Sequence, residues 1–416
     1  MDVKTPSRLL LIMQLKAYVC QQFLKNSTCI LWLFSLFLVS CFILVFGVNL
    51  KGGDSHFYID LLHRMLDKPA SKWLVQTWGD GLNTGLFRDH MVGLQLIGAA
   101  GVWLKLPATK ALYVMNVAFR LGNLFLYYKM GEKLKIPFIA LIPFIMILTP
   151  NFFQSIIRAD QEEFVLFFSL LILYLMIDFK KKALFFLPCC FAAIFLIKGF
   201  IVLLIFVQMY TTGLFFHSQQ KRKVILSAIL SFFFVILVGI LYEVLYRKQS
   251  GSSFFLDYWH NQIITNSVKV NIDYLHSLVF YPVNIIIYFG RIIWWSFPIS
   301  IIFCIFVFMQ RKYLNRRGMI IGKTHQFLIH ASIGGLFYIL AISLSSRIAS
   351  RYVYNLNTLS TFVMVSFMFL NMSKYPSVKK KLSYLSERPR FSIIFSVYFI
   401  LINFSNILYL HYLGQQ

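Results

Sequence analysis

Apolar residues in this chain come in long unbroken runs separated by short polar stretches, instead of alternating or marking one helical stripe. The runs cover 29–49, 136–150, 199–216, 224–245, 292–309, 326–344, 352–370 and 391–412. A helix of about 20 apolar residues crosses the hydrocarbon core of a bilayer, so several runs predict spanning helices and others fall slightly short. The first run follows a polar, basic stretch and lacks a small-residue cleavage site, so it reads as a retained span, not a signal peptide.

Charge orients these spans. Segments 1–28, 129–135, 178–182, 217–223, 310–325 and 371–390 hold 24 of the 40 basic residues and only four acids: Asp2, Glu132, Asp178 and Glu387. Basic clusters of this kind mark cytoplasmic loops. Ten of the 15 acids lie in the opposite set: Asp54, Asp60, Asp67, Asp80, Asp89, Asp160, Glu162, Glu163, Asp257 and Asp273. Acids contribute little to orientation, so their segregation points to function. Parity then constrains 90–104, which has 15 residues and three glycines. A full crossing there would put Lys129–Lys135 outside, so an interfacial or re-entrant helix is expected.

The predicted fold class is all-α, a polytopic membrane protein with about 11 transmembrane helices and amphipathic juxtamembrane helices in two large extracytoplasmic loops. The spans are 29–49, 111–128, 136–150, 163–177, 183–197, 199–216, 224–245, 292–309, 326–344, 352–370 and 391–412, with the amino terminus inside. The loops cover about 50–110 and 246–291. Residues 1–28 form a cytoplasmic basic amino terminus, 29–412 one transmembrane catalytic domain and 413–416 a short tail. Within 55–67, Phe57, Leu61, Leu62, Met65 and Leu66 share a helical face opposite Asp60, His63, Arg64 and Asp67, a pattern suited to the membrane surface.

Composition agrees: 59% of residues are hydrophobic and 13% charged, against roughly 25% charged in a soluble domain. The net charge of +25 sits in loop clusters, which argues for lipid bilayer and against nucleic acid as the partner. The six cysteines (20, 29, 41, 189, 190, 304) show neither metal-ligand spacing nor a disulfide framework. No repeat or Gly-rich phosphate loop occurs.

Several polar groups at the outer ends of spans could carry chemistry. Asp54 and His56 lie in Gly52-Gly53-Asp54-Ser55-His56, just after the first span. Asp54 is either a solvated loop residue or a general base whose pKa partial burial would raise. Arg88-Asp89-His90 enters 90–104, where Arg88 could hold phosphate. Asp89 and His90 could hold a divalent metal cation with a third ligand such as His260, or could anchor the interface. In Arg158-Ala159-Asp160-Gln161-Glu162-Glu163, Asp160 stands out as functional, while the rest suit a wet turn. Lys198-Gly199 interrupts an apolar stretch; the lysine is a turn residue or the counter-ion of a lipid phosphate. Residues 254–262, Tyr281-Pro282 and Trp294-Trp295-Ser296-Phe297-Pro298 are rich in interfacial aromatics. Arg347 and Arg351-Tyr352 suit anion binding or anchoring of a tight turn.

In this order the pieces resemble the GT-C superfamily of membrane glycosyltransferases that use polyprenyl-phosphate sugars, such as protein O-mannosyltransferases and lipid A aminoarabinose transferases. The likeness runs over 30–365 and rests on Asp54, Asp89 with His90, Asp160, Lys198-Gly199, the 254–262 stretch leading to Pro298, and Arg351-Tyr352. It departs where Asp54-Ser55 replaces Asp-Glu and where Arg88-Asp89-His90-Met91 replaces a proline-rich stretch. The resemblance implies an inverting transfer from a lipid-phosphate sugar donor to a glycolipid, glycan or protein acceptor outside the cytoplasm; no retention signal points to the endoplasmic reticulum, so a bacterial inner membrane with the site on its periplasmic face is expected. It implies Asp54 as base, Asp160 as orienting acid, and Lys198, Arg347 and Arg351 on the donor phosphate. His56, Arg88, Asp89 and Tyr352 would surround the acceptor, and Asp89, His90 and His260 would hold any metal. An O-antigen polymerase or ligase would leave Asp54 and Lys198-Gly199 without a role. A secondary transporter predicts duplicated halves and midplane charges, neither of which is present.

Overall fold

The computed structural model describes residues 55–78, 85–88, 90–147, 149, 160–260, 274–314, 322–343 and 350–387. The spans expected at 29–49 and 391–412, together with 1–28 and 413–416, lie outside the described residues. The described residues form helices joined by short turns, with one isolated antiparallel bridge between Thr77 and Leu86.

The helices are α1 (Ser55–Leu66), α2 (Gly93–Trp103), α3 (Ala108–Lys133), α4 (Leu141–Ile147), α5 (Glu162–Asp178), α6 (Lys181–Lys198) and α7 (Ile201–Phe216). They continue as α8 (Lys221–Ser250), α9 (Phe254–Tyr258), α10 (Tyr274–Trp295), α11 (Ile299–Leu314), α12 (Lys323–Ile342), α13 (Tyr354–Met372) and α14 (Pro376–Glu387). By length and composition, α8 with its lead-in (Ser218–Ser250) and α12 are long and apolar enough to cross a membrane, and α10 with α11 would make a third span if taken together. The full set of 11 spans is therefore not reproduced among the described residues. The remaining predicted spans are occupied by α3, α5, α6, α7 and α13, of 26, 17, 18, 16 and 19 residues.

Two spans differ from expectation. Residues 136–150 do not begin as helix: Phe138 takes φ 56, a left-handed backbone, and α4 starts only at Leu141. Residues 292–309 are split, because Pro298 lacks the amide that would continue α10. The axes of Tyr281–Trp295 and Ile299–Phe308 meet at 100°, and residues 274–291 of the second expected external loop belong to the apolar helix α10. The short 90–104 helix is α2; its 11 residues reach about 16 Å at 1.5 Å per residue, half a bilayer core.

Ends of several helices gather where the basic clusters lie. Lys133 pairs with Asp178 at 3.0 Å, Thr324 donates to the Leu134 carbonyl at 2.6 Å, and His217 bonds the Met176 carbonyl. The core runs between α3 and α5, α5 and α6, α6 and α8, and α7 and α12. α8 turns a row of exposed apolar side chains outward, including Phe233, Leu237, Ile240 and Val244, as a lipid-facing helix does.

Candidate functional site

The amino-terminal end of α5 is built from its own acids. Asp160, one residue before the N-cap Gln161, accepts a hydrogen bond from the Glu162 amide at 3.2 Å. Glu162 and Glu163 fill the first turn, where the helix dipole favours negative charge. Both are buried: Glu162 pairs with Lys198 at the end of α6, and Glu163 with Arg120 of α3 at 3.1 Å. Glu163 also accepts from Asn123 at 2.7 Å and from the Tyr354 hydroxyl, so one carboxylate joins α3, α5 and α13. Arg120 donates onward to Asn116 at 2.9 Å. Burial, reinforced by the charge of Glu162, pushes the Asp160 carboxyl up to about 7.

The other segments converge on the same end. Gly199 has φ 63 and ψ −137, and a Cβ there would lie 2.5 Å from the Tyr258 hydroxyl, so only glycine lets α9 approach Lys198 this closely. At Gly93 a Cβ would lie 2.5 Å from the Leu196 carbonyl, which fixes the start of α2 against the end of α6. Arg88, just before α2, forms an ion pair with Asp257 of α9 and donates to Tyr246 at 3.1 Å and to Ser252. Glu243 of α8 and the Ser253 side chain accept the free amides at the start of α9. The Tyr352 carbonyl accepts from Tyr338 at 2.7 Å, two residues before Tyr354 meets Glu163.

Sequence-predicted positions thus separate into groups. Asp160, Lys198-Gly199, the 254–260 stretch, Arg88 and Tyr352 are drawn together through named contacts. Lys198 and Arg88 are each tied to an acid instead of standing open to an anion. His56 is exposed, and the His90 ring sits 6.1 Å from both Tyr58 and Phe87. Asp54, Asp89, Arg347 and the Arg351 side chain lie outside the described residues, as does Arg158. Ser55, next to Asp54, is fully buried at the start of α1. That helix turns Tyr58, Leu61, Leu62 and Met65 into the protein core, so its apolar face is spent on protein contacts. Among the described residues no three His, Cys, Asp or Glu side chains are placed to share a metal.

The buried set around Glu163 was not anticipated. Its sequence signal is Asn116, Arg120 and Asn123, spaced four and three apart on one face of a predicted span, where polar side chains are costly unless paired.

No protein-family model matches the chain, and no curated protein matches it. Among solved structures it is similar to the apo oligosaccharyltransferase of Archaeoglobus fulgidus, with a TM-score of 0.55 and 11% identity over 94% of this chain. The same enzyme tethered to an acceptor peptide gives a TM-score of 0.49 and 10% identity over 92% of this chain. The chain spans 55% of the length of the apo structure. At this identity the apo comparison shows a shared fold alone.

Proposed function

We propose that this chain is a membrane glycosyltransferase that moves a sugar from a polyprenyl-phosphate carrier to a glycolipid, glycan or protein acceptor on the extracytoplasmic face. The observation that carries it is the convergence on one helix end of Asp160, the Lys198–Glu162 pair, α9 and the Tyr352–Tyr354 turn. The shared fold with an oligosaccharyltransferase supports the same class of reaction.

In the proposed step Asp54 takes the proton of an acceptor hydroxyl. The oxygen then bonds to the anomeric carbon as the bond from that carbon to the phosphate oxygen breaks, inverting the centre. The bonding pair leaves with the lipid phosphate. Because Glu162 already neutralises Lys198, the leaving phosphate is assigned mainly to Arg347 and Arg351, whose fork geometry suits phosphate oxygens. Lys198 then acts by holding Glu162, and so the start of α5, in place. Asp160 orients the acceptor or the base.

The test follows release of lipid phosphate by purified protein in lipid, with a panel of undecaprenyl- and dolichyl-phosphate sugars, for wild type and Asp54→Asn. Loss of release in a folded mutant supports the assignment. Unchanged release moves the base to Asp160, and no release with any donor removes the proposal.

A further inference from the structure

The 100° turn between α10 and α11 has a consequence for lipid binding. If α11 crosses the bilayer toward the basic 310–325 segment, α10 runs close to the membrane plane at the outer surface. Its contacts fit that course. Tyr281 donates to the Leu340 carbonyl at 3.1 Å and Asn284 to the Ser343 carbonyl at 3.0 Å, both at the outer end of α12. At its far end, Ser296 meets Thr361 of α13 at 3.0 Å. One side of α10 buries Tyr288 and Ile292, while Ile286 is 69% exposed and Trp294 68% exposed. Such apolar exposure belongs against acyl chains, with Trp at headgroup level.

Arg291 stands between these two sides. Its guanidinium lies 6.0 Å from the Tyr288 ring centre and makes no ion pair with any described residue. Its Nη1 is buried without a hydrogen-bond partner. Arg88, Arg120 and Lys198 each face an acid, so this cation differs from the others near the site. An unneutralised, partly buried guanidinium is costly and calls for an anion.

We propose that Arg291 binds the phosphate of a membrane lipid at the α10–α11 bend, with the lipid tail along Ile286 and Ile293. The chemistry is that of a phosphate ester carried on hydrocarbon, gripped through the guanidinium fork. Two lipids could supply it: an isoprenoid phosphate or a resident phospholipid. The site itself does not depend on sugar transfer. Only its use for the isoprenoid carrier rests on the proposed function, and α10 packs against the 350–353 turn that bears Arg351.

The experiment uses the full chain in phosphatidylcholine nanodiscs, titrated separately with undecaprenyl phosphate, phosphatidylglycerol and inorganic phosphate, and read by tryptophan fluorescence. Wild type should bind at least one of the two lipids, and Arg291→Gln should weaken that binding tenfold or more. The preferred lipid identifies the source. Equal affinity in wild type and Arg291→Gln, or Arg291-dependent binding of inorganic phosphate alone, overturns the proposal. A photoreactive analogue of the bound lipid covers a misfolded variant. Cross-linking of wild type within 286–297 supports the site, and cross-linking confined to other segments refutes it. Binding without any sugar transfer would remove the proposed function and leave this site standing.

Discussion

Replacing Glu163 by Gln tests whether the buried network is an ion-pair system or merely a set of polar contacts. Glu163 and Arg120 are each 1% exposed. Gln keeps the shape but removes the charge that Arg120 faces at 3.1 Å. It also turns an amide donor toward Asn123, Tyr354 or Arg120, all of which donate to the carboxylate. Breaking a buried pair by removing one partner costs about 3–5 kcal/mol, because an uncompensated charge remains. Arg120→Met should cost a similar amount, with about 1 kcal/mol from the Asn116 bond lost at 2.9 Å. The double variant removes both charges, so its cost should be no larger than that of either single variant. The coupling, measured by SDS-driven unfolding in mixed micelles, should then be at least as large as one single cost, about 3 kcal/mol or more, at the top of the range for groups in contact. If the two single costs add within about 0.5 kcal/mol, the carboxylate and guanidinium do not stabilise one another and the account of the site is wrong.

Other consequences are separately measurable. Because the Asp160 carboxyl is pushed up to about 7 by burial, it is protonated below that pH, and transfer should fall as pH drops through 7; Asp160→Asn should lose that limb of the profile. The same shift favours the neutral form in the folded state, so this group's stabilising contribution is present at acid pH and lost as pH rises through about 7. Gly199→Ala should destabilise by about 1–3 kcal/mol from backbone conformation alone, and Tyr258→Phe should relieve only the added clash with the hydroxyl. Arg88→Gln and Asp257→Asn should show a coupling of about 1 kcal/mol or less, since Asp257 is 40% exposed and solvent screens the pair. A larger value in a double-mutant cycle would mark the pair as a principal clamp on α9.

The pattern along the chain determined a great deal by itself. Hydrophobic runs marked where most of the described helices lie, because a bilayer demands apolar length. The contacts of Lys133, Asp178 and His217 gather beside the basic clusters of the sequence. Gly199 also marked a position where the backbone conformation excludes a side chain. What only the tertiary structure decided was pairing. Nothing local says that Lys198 meets Glu162, that Arg88 meets Asp257 across 169 positions of sequence, or that Glu163 ties Arg120 to Tyr354. A charge in a low-dielectric interior takes its role from the nearest opposite charge, and that neighbour is chosen by how helices pack. The same holds at Pro298: the sequence shows a residue unable to continue a helix, but the 100° between α10 and α11 follows from where α12 and α13 offer partners.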